Sequence, residues 1–381
     1  MLWHTVAVAR FESWVRSLGQ VSDRPLYYGD YLQLDALLSV QRLESARDGP
    51  AVHDEMLFVI VHQAYELWFK QVLWELDEVR AIFAHERVDE SDMGRVVALL
   101  HRITEIQKVL LQQISVLETM TPLDFLEFRD HLFPASGFQS AQFRMVENKL
   151  GVRPGDRMRL AGADYTARFD EDDRVLVERT EREPSLHDLV EAWLERTPFL
   201  ELGNFDFWEA YRKAVLGMLD HDRAVVEANP NLTEEERAEQ LAGFEQTYVQ
   251  NEAVFDEAKH KALVASGERR FSYRAFQAAL FITLYRDQPA LHDGNRVLTL
   301  LMDIDEGFTT WRHRHALMAL RMIGRRVGTG GSAGFAYLSR SAEKSRVFTD
   351  LFNLATFLIP RSARPALPPE VAATMRFRFE E

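Results

Sequence analysis

Cysteine is absent from the 381 residues. That removes disulfides, thiolate haem ligands, iron–sulfur clusters and cysteine nucleophiles together. Any metal must be held by histidine, by carboxylates or by a cofactor. No apolar run reaches the length of a membrane span. The opening segment MLWHTVAVARFESWVRSLGQ has Arg10, Glu12 and Arg16 breaking its apolar residues and offers no small-residue cleavage site. It therefore reads as a short amphipathic arm and not as a signal peptide. A cytoplasmic protein is expected. Clustered basic residues are lacking as well, and the formal net charge of −14 argues against nucleic acid or an anionic membrane as partner. Strand-like text is confined to residues 157–178, which alternate loosely and carry many charges. This stretch is expected to be a surface connection with a short hairpin. Nothing repeats at a fixed period.

What the chain does have is helical periodicity and apolar mass. Hydrophobic residues make up 46%, enough for one large core. Helices are predicted over 30–46, 54–86, 90–119, 136–150, 185–197, 205–228, 233–265, 271–285, 295–325 and 342–358. Thr233 followed three residues later by Glu236 has the form of a capping box. The expected fold class is all-α, a multi-helix bundle. The more charged stretch at about 200–265 is expected to form a small inserted helical subdomain.

The segment 53–77, HDEMLFVIVHQAYELWFKQVLWELD, is apolar almost all the way round, as befits a central helix. Phe58, His62, Tyr65 and Phe69 share one side of it, so His62 lies among aromatics. It is either a structural residue or part of a site. In RHRH, His313 and His315 stand about 200° apart on a helix, so a paired metal site is excluded. Only His315 shares the apolar stripe of Trp311, Met318 and Met322. It is a core histidine or a single axial ligand. One lone imidazole cannot hold a bare ion, but it can hold a haem iron, whose other four ligands come from the porphyrin. The sequence permits haem without showing it.

GTGGSAG at 328–334 follows a helix, and lacks both the P-loop lysine and the third glycine of a dinucleotide turn. It is a helix-ending loop, or a lid whose Thr329 hydroxyl and amides touch a small polar ligand. Arg129 stands near Phe125, Phe128, Phe133 and Phe138. It either clamps a carboxylate or pairs with a surface acid such as Asp130. Tyr28 and Tyr31 are packing or binding residues.

In their order along the chain these segments resemble the tryptophan 2,3-dioxygenase family. The likeness is carried by YGDYLQLD at 28–35, HDEMLF…HQAYELWFKQ…WELD at 53–77, and TPLDF…FRD…PASGFQS at 121–140. It continues through LVEAWLERTP, GERRFSYRA, LMDIDEG…WR…H, GTGGSAG and VFTDLFNLATFLIPR. It spans roughly residues 27–362, between an arm at 1–26 and a tail at 363–381. The resemblance implies a haem pocket within the bundle, with ferrous haem b on His315 as the proximal ligand. It implies that His62 accepts a hydrogen bond from the indole N–H, that Phe58 walls the indole, and that Arg129 holds the substrate carboxylate. Thr329, with Gly328 beside it, would meet the ammonium and carboxylate end, and Ser136 would lie near the haem and its propionates. Tyr28, Tyr31 and Leu32 would reach a neighbour's pocket in a homotetramer. The implied reaction joins L-tryptophan and O2 to give N-formylkynurenine, the first step of the kynurenine route, with no reductase. Ala333 stands where a second serine is frequent in the family. Three alternatives stand beside this reading: a relative acting on substituted tryptophans, a haem sensor without turnover, and a purely structural helical protein.

Overall fold

The computed structural model describes residues 25–157, 164–198, 200–202, 205–324, 326 and 335–376. Two short helices come first, α1 (Tyr28–Leu32) and α2 (Leu34–Leu37). The long helices α3 (His53–Phe83) and α4 (Glu90–Leu117) follow, then α5 (Pro122–Arg129) and α6 (Ala141–Leu150). Next are α7 (Glu171–Glu181), α8 (Leu186–Glu195), α9 (Phe207–Ala228), α10 (Glu234–Val254) and α11 (Glu257–Ser266). The chain continues with α12 (Tyr273–Leu284), α13 (Pro289–Ile323), α14 (Phe335–Lys344), α15 (Thr349–Asn353) and α16 (Pro369–Thr374). Among the described residues the only strands are a two-residue antiparallel pair, Glu201–Leu202 with Phe205–Asp206. The class is all-α.

α3, α4 and α13 form the central layer. α3 buries Val61, Tyr65, Phe69, Val72, Leu76 and Val79, and α4 buries Val96, Leu100, Ile103 and Leu110. The close approach of α4 to α13 depends on Gly307. A Cβ there would stand 2.5 Å from Gln107 Oε1, while Gln107 Nε2 donates to the Ile304 carbonyl at 2.8 Å. A side chain at 307 would push the two helices apart. α6 is tied to α3 by Gln142 Nε2, which donates at 2.9 Å to both the Glu66 carbonyl and its carboxylate.

Several boundaries differ from expectation, each for a local reason. The helix predicted at 30–46 is broken at Gln33, whose φ of 53° ends α1. Residues 233–265 form two helices because the Asp256 side chain caps a new start, accepting from Ala258 and Lys259 N–H. Among the described residues of 157–178 there is no hairpin. Tyr165–Arg168 form a 3-10 turn and α7 begins at an Asp170 cap that accepts from Asp173 N–H at 2.9 Å. α5 was not foreseen, although Thr121 and Asp124 form a capping box with Pro122 at the first turn. The stretch expected as an inserted subdomain forms α9, α10 and α11. Its root lies in the main core, where the Phe207 ring is 4.9 Å from Phe281.

The outer side of α3 departs from the expected central helix. Met56, Ile60, Leu67 and Trp74 form an exposed apolar stripe along it. Leu26, Tyr27, Tyr28, Tyr31 and Leu38, on and around α1 and α2, are exposed as well. No helix among the described residues is long and apolar enough to cross a membrane.

Candidate active site

One cavity opens between α3, α5, α6, α13 and α14. Phe58, His62, Tyr65, Phe69, Phe125 and Arg129 line it from α3 and α5, and Trp311, His315, Met318 and Met322 line it from α13. Leu338, Ser341 and Ser345 complete the wall. Its lining is mainly apolar and aromatic, with a few polar groups set at defined points. That is the composition of a small-molecule site.

His62 is held by its own helix. Its Nδ1 lies 2.7 Å from the Phe58 carbonyl oxygen. A carbonyl only accepts, so Nδ1 carries the proton and Nε2 is left as an acceptor. Burial lowers the imidazole pKa, against the opposing pull of the Phe58 hydrogen bond and the Glu66 charge. The ring is therefore neutral at pH 7. The Phe58 ring sits 4.0 Å from it, and Phe125 and Phe128 stand 5.8 and 5.6 Å from Phe58. Together they make an aromatic slot with one hydrogen-bond acceptor beside it.

His315 is one turn beyond Trp311, and the two rings stack at 5.5 Å and 11°. Burial, with a smaller contribution from His62, brings its pKa down to about 4. A neutral imidazole in an apolar cavity is a competent metal ligand. The described residues contain no group of three or more His, Asp or Glu side chains able to hold a bare ion. A single neutral nitrogen suits an iron already coordinated by a macrocycle.

The polar edge of the cavity was not foreseen. Glu147 is surrounded by Arg312 at 2.7 Å, Arg144 at 2.8 Å and Arg157 at 3.6 Å. Arg157 also meets Glu181 at 3.3 Å and lies over the Tyr165 ring at 4.2 Å. Three guanidinium groups face two carboxylates, so the edge keeps an excess of positive charge. The buried Trp311 Nε1 faces the Tyr65 hydroxyl. The groups of this edge come from α6, α7 and α13, with Arg157 and Tyr165 between α6 and α7, far apart in sequence. The spacing of Arg144 and Glu147, one turn apart on α6, was their only local trace.

Of the residues expected at a site, Phe58, His62, Arg129, Ser136 and His315 line this cavity. Ser136 also caps the 3-10 turn that follows it, accepting from Phe138 N–H at 3.3 Å. The neighbourhood expected for Arg129 is corrected at one point, because Phe133 is 73% exposed and turns outward. Arg129 reaches the exposed Asp130 only at 3.9 Å. Tyr28 and Tyr31, 74% and 69% exposed, do not line the cavity of their own chain, nor does Leu32. Gly328 and Thr329 lie outside the described residues.

Comparison with known proteins decides the family. The family model for tryptophan 2,3-dioxygenase matches residues 15–358. The chain is 51% identical to the tryptophan 2,3-dioxygenase of Bdellovibrio bacteriovorus, over 93% of this chain and 99% of that protein. It is 48% identical to the enzyme of the same name from Mus musculus, over 92% of this chain and 87% of that one. With the one from Dictyostelium discoideum it shares 45% identity, over 94% and 90%. The chain belongs to the tryptophan 2,3-dioxygenase family. Its activity is the one that name states: both atoms of O2 enter L-tryptophan across the indole C2–C3 bond, giving N-formylkynurenine.

Proposed function

We propose that the cavity binds haem b through His315 and holds L-tryptophan against it with Phe58, His62 and Arg129. The observation that carries this reading is the pairing of two neutral histidines that face one apolar cavity. One has its acceptor nitrogen fixed by a backbone hydrogen bond, and the other stacks on Trp311. The residues fit the group. Trp311, Met318 and Met322 offer the apolar wall a porphyrin needs. The excess cation around Glu147 suits propionate oxygens. Bound ferrous haem would supply the site for O2 and for its delivery to the indole.

The protein's part is orientation. His62 Nε2 accepts from the indole N–H, which fixes the ring's rotation in the slot. It needs no proton of its own, and its low pKa keeps it an acceptor at neutral pH. Arg129 takes the carboxylate, and Phe58 and Phe125 exclude water from around the ring. Holding the reactants in this geometry is worth more than any single contact. Thr329 and Gly328 belong to the same proposal as the residues that meet the amino-acid end.

The exposed stripe of α3 and the exposed tyrosines of α1 support a homotetramer in which Tyr28, Tyr31 and Leu32 complete a neighbour's pocket. Burying such a patch is the usual fate of contiguous apolar surface. The test replaces His315 by Ala and follows the Soret band together with tryptophan-dependent O2 uptake. Loss of both is expected. A variant that keeps a wild-type Soret band removes His315 from the iron. Tyr31→Ala, with its mass measured by light scattering, checks the assembly. A higher tryptophan KM in an intact tetramer is expected, and an unchanged KM removes the neighbour from the pocket.

A further inference from the structure

Ten residues before His315 on the same helix lies Asp305, 5% exposed and outside the cavity. Its two carboxylate oxygens accept from consecutive backbone amides, Val347 N–H at 3.0 Å and Phe348 N–H at 3.1 Å. Those amides follow directly on the cavity wall made by Leu338 and Ser341 of α14 and by Ser345. Val347 and Phe348 are themselves buried. The same stretch is held from a second side. Arg270 donates to the Arg346 carbonyl at 3.4 Å and to the Gly151 carbonyl at 2.6 Å. Asp350 accepts from the Arg270 and Phe271 amides at 2.7 and 2.6 Å.

We propose that Asp305 is a positioning residue for the haem. It clamps the end of the α14 wall to the helix that carries His315, so that wall and ligand keep one register. The inference rests on the haem reading above. A carboxylate is the side chain this junction requires. Two N–H donors converge on it from adjacent residues, and it supplies two acceptors and no donor. Asn at 305 would set an NH2 group against one of those amides and leave a buried N–H unpaired. Among the described residues no other side chain bonds the Val347 or Phe348 amide.

The experiment uses the holoenzyme and Asp305→Asn. Haem release is followed at the Soret band in excess apomyoglobin, and hydrogen exchange is read peptide by peptide. Release about tenfold faster than wild type is expected, the factor that a loss of about 1.4 kcal/mol represents. Exchange should rise in 335–350 and not in α3 or α4. Unchanged release, or exchange rising equally throughout, overturns the proposal. Wild-type holoenzyme supplies a second measurement should the variant not fold. The Val347 and Phe348 amides should exchange as slowly as those of α13 beside Asp305, and exchange as fast as in an exposed helix contradicts the clamp. A wild-type protein without a Soret band refutes the haem reading and this inference with it. A wild-type Soret band with unchanged release in the variant refutes this inference alone.

Discussion

Glu147 is buried among three guanidinium groups, with Arg312 and Arg144 at 2.7 and 2.8 Å and Arg157 at 3.6 Å. Burial is the largest single influence on its carboxyl group and raises the pKa. The charges of Arg144, Arg312 and Arg157 together overcome it and bring the pKa down from 4.5 to about 2. At about 1.4 kcal/mol per pH unit, that drop corresponds to about 3 kcal/mol of folding stability. The sign follows from the depressed value. The stabilisation is complete above pH 4.5 and is lost as the pH falls toward 2. Glu147→Gln removes it at neutral pH and leaves three cations at the cavity edge without their central anion. Breaking a buried pair costs about 3–5 kcal/mol, in line with the titration figure. Urea unfolding of the haem-loaded protein, followed by far-UV circular dichroism, measures it. The variant should be about 3 kcal/mol less stable at pH 7, with the gap narrowing by pH 3. A variant as stable as wild type at pH 7, or a gap that does not change with pH, refutes the reasoning.

Two further predictions concern the substrate. Arg129→Ala removes a charge-assisted contact worth about 1.5–3 kcal/mol, so the tryptophan KM should rise about 10- to 100-fold with haem still bound. An unchanged KM assigns the carboxylate to another group. His62→Ala removes one neutral acceptor and should weaken tryptophan binding about fivefold. 1-Methyltryptophan has no indole N–H to donate. Wild type should bind it less well than tryptophan while the variant treats the two alike, and equal discrimination by both proteins would take His62 off the indole nitrogen.

The helices that build the cavity were largely legible in the sequence because each has a long apolar period. The apolar period of α3 and α13 placed Phe58, His62 and His315 on their inner sides but left each histidine structural or ligand-binding; the family resemblance named them for a site, and all three line the cavity. α7 was missed for the opposite reason. Its EDDRVLVERTE is dominated by charge, and only Asp170, three residues before Asp173, marked its cap. α5 was more readable than it was read, since Thr121, Pro122 and Asp124 together spell a helix start. Of the arginine edge only the one-turn spacing of Arg144 and Glu147 left a local trace. Arg157 and Arg312 meet on Glu147 across 155 positions, and no local pattern encodes a meeting at that distance. The exposed stripe of α3 is the converse case. The sequence predicted an all-apolar helix, and in the structure Met56, Ile60, Leu67 and Trp74 stay exposed along one side of it.

The most direct test of the central claim is an anaerobic titration of the ferrous protein with L-tryptophan, followed by admission of air. The account predicts a Soret band that shifts as tryptophan fills the slot beside His62. On admission of O2, N-formylkynurenine should form in step with the O2 consumed, without added reductant. A Soret band indifferent to tryptophan, with no N-formylkynurenine in air, would contradict it.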